Sequence, residues 1–325
     1  MSEAAVVAAS EESIRKGSKS FAAAARLFDP QTRDNCVMLY AWCRHCDDVI
    51  DGQVLGHEQA EDWRDGQDER LALLRRQTHE AAAGRPGSDP VFQALARVVA
   101  SSGIPQRHLD ELLDGFAMDV AERRYERIDD VLDYAYHVAG VVGVMMAMIM
   151  GARDEATLDR ASDLGLAFQL TNIARDVVDD ARAGRCYLPA DWLAEEGIGT
   201  PDPDDPAQRA ALYRVALRLL DVAESYYASA RVGIAGLPWR SAWAIASALR
   251  VYRAIGSRLR ALGPAAWDSR VSTSRTQKMA LVGAALTDVA GTRFDRSALP
   301  RTGLYERPGR AARPLSGGGV RSPAR

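Results

Sequence analysis

Cysteine is scarce. Cys36, Cys43, Cys46 and Cys186 are the only four in 325 residues, and no cleavable apolar leader precedes them, which excludes a disulfide framework and leads us to expect free thiols in a reducing cytoplasm. Cys43 and Cys46 form a C-x-x-C, but no second pair completes a zinc site and no βαβ pattern surrounds it, so both read as small buried helix residues. A surplus of charge of one sign is also lacking. Lys and Arg total 41 against 44 Asp and Glu, a net charge of −3, so there is no global basic field to gather nucleic acid. Nor is there a long apolar run. The longest stretch free of Asp, Glu, Lys, Arg and His, Val138 to Ala152, has 15 residues, short of the roughly 18 to 20 that cross a bilayer as a helix. It reads as a core helix whose small residues and methionines adapt to irregular space. Glycine-rich phosphate loops of the Walker or dinucleotide type are missing as well.

What is present is a chain with 47% hydrophobic residues, enough to bury a large core. Runs of β-branched residues with period-two alternation are absent, and apolar positions recur every three or four residues, the pattern of an all-α protein. Asp29-Pro30 and Ser88-Asp89-Pro90 mark helix starts, with an aspartate to cap free N–H groups and a proline in the first turn. Breaks at Gly84–Gly87, Ser102–Pro105, Thr200–Pro206, Gly236–Pro238 and Gly263-Pro264 delimit helices near 31–52, 58–82, 90–101, 105–125, 129–151, 155–183, 206–235, 239–262 and 270–290. No linker separates two domains. The organisation expected is one helical domain, residues 1–306 with a core of about 14–290, built as a bundle around a central cavity. Residues 307–325 differ in kind: five arginines, no acid, three prolines and a Gly-Gly-Gly run predict a disordered basic tail. The tail carries +5, which leaves −8 on the body. It could touch anionic lipid or RNA, though a solvated tail with no role is the plainer reading.

The chemistry concentrates in two short segments. In Leu39–Asp51, Tyr40, Arg44, Asp47 and Asp51 fall at i, i+4, i+7 and i+11, one stripe of a helix. A lone D-x-x-x-D is usually a solvated, salt-bridged face. Here it occurs twice, because Asn172, Asp176 and Asp180 fall at i, i+4 and i+8 of Gln169–Asp180, with Gln169 upstream on nearly the same face. An arginine flanks each pair, Arg44 in one and Arg175 in the other. Carboxylates one turn apart that face a matching pair suit Mg²⁺, which prefers oxygen ligands and shares them with phosphates. Guanidinium groups bind phosphate oxygens through paired hydrogen bonds. Asp48 and Asp179 lie about 100° off these stripes and should form outward salt bridges. A helical bundle with two facing Asp-rich helices and an apolar interior fits metal-assisted ionisation of an allylic diphosphate in a dry cavity.

The sequence resembles the phytoene-forming bacterial members of the squalene/phytoene synthase family of head-to-head prenyl synthases. The likeness runs from about Ile14 to Val289 and rests on an ordered set: Ser18-Lys-Ser-Phe21, Leu39–Asp51, Asp119–Tyr125, Tyr134–Gly143 and Gln169–Pro189. It implies an isoprenoid synthase type I fold. It also implies a prenyl transferase of carotenoid biosynthesis that condenses two geranylgeranyl diphosphates, through prephytoene diphosphate, to phytoene with release of two diphosphates. Mg²⁺, for which Mn²⁺ can substitute, is the implied cofactor, held by Asp47, Asp51, Asn172, Asp176 and Asp180, and no NADPH is required. The implied catalytic set adds Arg44 and Tyr40. The implied substrate contacts are Ser18, Ser20, Phe21, Tyr136, Gln169, Arg175, Tyr187, Tyr252 and Arg270. Phe21 and Tyr252 also fit plain core roles, and Arg270 a surface one. Gly17 stands where some relatives carry a histidine, so no proton acceptor is placed there. His137 reads as a wall or buried residue. A cytoplasmic enzyme in peripheral membrane contact, without a spanning helix, follows from lipid substrates. The alternatives are a C30 synthase using farnesyl diphosphate, a head-to-tail elongase, and a noncatalytic assembly or lipid-binding protein on the same scaffold.

Overall fold

The computed structural model describes Ser10 and residues 24–53, 63–202, 204–294 and 300–309. Ser18, Ser20, Phe21 and the segment 310–325 lie outside the described residues, which contain helices and no strand. In chain order the helices are α1 (Pro30–Asp51), α2 (Gln67–Ala82), α3 (Pro90–Ser102), α4 (Gln106–Val120), α5 (Ile128–Ala135), α6 (Val141–Ile149), α7 (Glu155–Arg182), α8 (Ala190–Glu195), α9 (Pro206–Gly233), α10 (Trp239–Leu262) and α11 (Arg275–Phe294).

The caps work as the sequence dictates. Asp29 accepts from the Thr32 amide at 3.0 Å ahead of Pro30, and Asp89 from the Val91 amide at 2.8 Å ahead of Pro90. Asp154 and Asp205 cap α7 and α9 in the same way. Three boundaries move. The helix expected from residue 58 starts at Gln67, behind a turn that ends on Gly66 at φ 70°. The one expected to reach 125 stops at Val120, because Glu122 turns the chain through φ 47°. The last begins at Arg275, where Ser274 and Gln277 form a reciprocal capping box, which leaves Arg270 in the preceding loop. The short α8 has too little periodicity to be read from sequence.

α7, at 28 residues about 42 Å long, is the central element. It packs antiparallel to α9: Tyr227 meets Thr171 and Phe168, Ser229 meets Arg160, and Gly233 lies on Arg160. On another side it meets α6 and the π turn Tyr136–Gly140 that joins α5 to α6. This contact is backbone on backbone. A Cβ on Gly165 would sit 2.2 Å from the Ala139 carbonyl, and one on Gly143 2.3 Å from that of Ala161, so only glycine permits the approach. The α5–π–α6 unit, Ile128–Ile149, is longer than its charge-free part. By length and composition it could cross a membrane, but 61% of its most apolar window is buried in the bundle, as expected of a core helix.

The basic tail does not begin at Arg307. That residue is 3% exposed and ion-paired with Asp159 and Glu155. Composition could not anticipate this, because the countercharges lie far upstream.

Candidate functional site

α1 and α7 each present their aspartate stripe to a common cleft. On α1, the Arg44 guanidinium is forked: its Nε and Nη2 donate to Asp48 at 2.9 and 2.6 Å, and Nη1 lies 3.1 Å from Asp47. Asp48 is therefore buried and turned inward, contrary to the expected outward salt bridge. α1 is covered on more than one face, so 100° from the stripe is still interior. Asp179 faces outward and is exposed, but among the described residues it shows no salt bridge. On α7, Arg175 clasps its neighbour Asp176 at 2.7 and 2.5 Å. One turn earlier Asn172 directs a buried Oδ1 that has no hydrogen-bond partner, while its Nδ2 reaches Gln169 at 3.5 Å.

The two stripes are joined by a residue the sequence reading passed over. Arg185, just beyond α7, donates to both oxygens of Asp51 on α1 at 2.5 and 3.3 Å. Its backbone N–H donates to the Asp180 carbonyl at 2.9 Å, its charge acts on Asp119 and Asp180, and Trp63 covers it at 4.9 Å. Asp119, at the end of α4, accepts from Tyr134 at 3.1 Å and from Tyr187 at 2.9 Å. These two rings stack at 4.9 Å, with Tyr125 packed against both. Asp119, Tyr134 and Arg185 lay inside motifs that carried the resemblance, but nothing in their spacing showed that three separate elements bring them together.

Crowding of acid in a shielded cleft has an electrostatic signature. Burial, reinforced by Asp51, Asp48 and Asp119 against the opposing charge of Arg44, pushes Asp47 up to about 7. Its side chain nevertheless keeps 41% of its surface accessible, as a carboxylate on the wall of an internal cleft would. Burial and the neighbouring Asp176 raise Asp180 to about 7. Burial raises Asp119 to about 6 against the pull of Arg185 and two tyrosine hydroxyls. Carboxylates held near neutrality, beside an unpartnered amide oxygen, form an oxygen-only donor set that fits a hard divalent cation. Among the described residues no three His, Cys, Asp or Glu side chains gather closely enough to hold an ion by themselves. An ion here would take one or two carboxylates from each helix and complete its shell elsewhere.

Below the acids the α7 face becomes aromatic. Tyr252 of α10 stacks on Phe168 at 4.0 Å and interacts electrostatically with Arg175, Asp176 and the exposed Arg270. Tyr40 is half-buried beside Arg44. Tyr136 is not brought to the cleft. Its buried hydroxyl donates to Glu111 at 2.8 Å and its ring packs on Tyr305 at 5.6 Å. Side chains two apart on a helix diverge by about 200°, and Tyr134 takes the inward position. His137 is tied to the Asp133 carbonyl at 2.8 Å.

Residues 14–277 match the family described as squalene/phytoene synthase. The chain is 56% identical over 303 residues to a 15-cis-phytoene synthase of Paracoccus sp. (strain N81106 / MBIC 01143), covering 93% of this chain and 98% of that one. It is 53% identical to a 15-cis-phytoene synthase of Pantoea ananas, covering 91% and 96%. Among solved structures it is similar to a dehydrosqualene synthase in complex with ligand, with a TM-score of 0.78 and 27% identity over 89% of this chain and 98% of that one.

Proposed function

The chain belongs to the squalene/phytoene synthase family, and from that premise we propose that it joins two geranylgeranyl diphosphates head to head, through prephytoene diphosphate, to phytoene. It is a prenyl-transferring enzyme of carotenoid formation. The observation that carries the site assignment is the convergence of two aspartate stripes and Asp119 on Arg185, above the Phe168–Tyr252 stack.

Asp47, Asp51, Asn172, Asp176 and Asp180 would hold Mg²⁺, or Mn²⁺ in its place. When bound, the metal supplies Lewis-acid neutralisation of charge on the departing diphosphate. The chain's own groups do the rest. Arg44 and Arg175, paired in the structure with neighbouring aspartates, would exchange a carboxylate for diphosphate oxygens. Tyr187 and Tyr134 hold Asp119 in a fixed orientation. The ring faces of Phe168 and Tyr252 offer electron density to an allylic cation and keep water from it. Buried Met145, Met146 and Ala147 of α6 close the apolar side. Condensation releases two diphosphates and two protons, one as the cyclopropane of prephytoene diphosphate closes and one from the final cation, and consumes no hydride, so no NADPH is needed. Peripheral contact of a cytoplasmic enzyme with a membrane is supported by the lipid character of the substrates and product.

The test is Asp47→Asn and Asp176→Asn, shown to be folded by circular dichroism, assayed with Mg²⁺ and geranylgeranyl diphosphate. Loss of several kcal/mol of charge stabilisation predicts at least a roughly hundredfold fall in phytoene output. Near-normal output would refute the metal assignment. Parallel incubations with farnesyl diphosphate, with and without NADPH, separate the C30 alternative.

A further inference from the structure

Beyond α11, and beyond the residues matched by the family, residues 300–309 run back across the bundle as a strap. It is held by charge. Asp159 and Asp163, one turn apart in the first half of α7, are each 1% exposed. Two buried carboxylates so close require buried countercharge, and the strap provides it. Arg301 donates to both oxygens of Asp163 at 2.8 and 2.7 Å and lies 3.5 Å from Asp159. Arg307 donates to Asp159 at 2.8 Å and Glu155 at 2.6 Å. Between them the Tyr305 N–H donates to the Tyr226 hydroxyl at 3.0 Å, and Arg301 donates to the Tyr305 carbonyl at 2.8 Å.

Tyr305 is thus fixed at backbone level while its side chain points toward the α5–π unit. The ring packs on Tyr136 and the hydroxyl donates to Asp133 Oδ1 at 3.0 Å. The other oxygen of Asp133 accepts from Arg123 Nη1 at 2.8 Å. Arg123 lies over the Tyr125 ring at 5.8 Å, and Tyr125 packs against Tyr134 and Tyr187, the pair that grips Asp119. Asp133 also directly precedes Tyr134 in the chain. A continuous set of contacts therefore runs from the strap to the acid cluster.

We propose that the strap is a positioning element of the active site: Tyr305, anchored by Arg301 and Arg307, fixes Asp133 and through it the orientation of Tyr134 and the Asp119 cluster. The proposal rests on the reading of the site given above. A displaced catalytic shell lowers turnover far more than it weakens binding of a long prenyl chain gripped along its length.

The experiment uses the full chain. Tyr305→Phe keeps the ring on Tyr136 and removes only the hydroxyl, so the fold should survive. Expected are a kcat about tenfold lower, a KM for geranylgeranyl diphosphate within about twofold of wild type, and a larger share of prephytoene diphosphate relative to phytoene. Asp133→Asn, which also weakens the Arg123 pair, should lower kcat at least as far, and the double variant should be no worse than Asp133→Asn alone, because the Tyr305–Asp133 contact is then already broken. Arg301→Lys, which keeps the charge at Asp163, should retain most of the turnover. Wild-type kcat per folded molecule in Tyr305→Phe would overturn the proposal, even if its melting temperature fell, since that is all a purely structural strap would show. Fully additive losses in the double variant would overturn it too. If wild type itself makes no phytoene from this substrate, the functional reading fails instead, and that result is read before any variant.

Discussion

Arg185→Gln separates two roles that a single activity assay would merge. In the structure this guanidinium neutralises Asp51 through two hydrogen bonds, so it occupies the carboxylate that the metal needs. Hydrogen bonds to charged groups are worth about 1.5–3 kcal/mol each. The two side chains keep 22% and 15% of their surface accessible, and solvent screening in the cleft brings the pair to about 2 kcal/mol. Removing the competing cation should therefore tighten divalent metal binding by up to about 30-fold. The same variant deprives diphosphate of a cation and should raise KM by a similar factor. Mn²⁺ titration of the substrate-free protein, followed by electron paramagnetic resonance, reads the first effect, and steady-state kinetics the second. The titration belongs near pH 8.5. Arg185 opposes the upward shifts of Asp119 and Asp180, so its loss lets protons compete more strongly at lower pH. Unchanged or weaker Mn²⁺ binding at that pH would refute the view of Arg185 as a built-in counterion to the first stripe.

Asp47 and Asp180 lie at about 7 and Asp119 at about 6, all raised from 3.8. Their contribution to stability is complete below about pH 4 and is lost as pH rises through 6 to 7. Without divalent ions the melting temperature should fall between about pH 4 and pH 7 and level off above that, and saturating Mg²⁺ should raise it more at the upper end; a metal shift independent of pH would contradict this. Tyr134→Phe, which removes a donor from Asp119, should lower kcat about tenfold or more, whereas Tyr136→Phe should leave kcat within about twofold and cost about 1–3 kcal/mol of stability at Glu111; kinetics and thermal melts on both variants decide it. Gly165→Ala forces a methyl group against the Ala139 carbonyl, and overpacking of this kind costs about 1–3 kcal/mol, read as a fall of several degrees in melting temperature. Equal stability of that variant would mean that α6 and α7 can part freely.

What the sequence made legible was whatever lies within one helix. The stripes Tyr40–Asp51 and Gln169–Asp180 follow from a fixed 100° per residue, and the Asp-Pro caps from donors exposed at helix starts. Contacts between elements carried no such periodic trace. Arg185 reaches Asp51 across 134 residues, and Asp119 meets Tyr134 and Tyr187 from α4, α5 and the loop after α7. Helical phase alone leaves open which of Tyr134 and Tyr136 faces inward, because both stand in one aromatic-rich segment and only the packing of α5 against α4 and α7 decides.

The end of the chain exposes a different limit. Composition assigns Arg307 to solvent because its neighbours are arginine, proline and glycine, and on a free tail that inference is sound. It fails here because burial of a charge depends on a partner, and the partner Asp159 stands 148 residues away. The same pairing changes the meaning of the −8 carried by the body. Part of that acid, Asp159 and Asp163, is matched by strap arginines and serves the fold, whereas Asp47, Asp119 and Asp180 are left with too little positive charge and shift toward neutrality. Acid that the fold neutralises with its own arginines is structural. Acid that it leaves under-neutralised in a shielded cleft is where an external cation and a diphosphate are expected to bind.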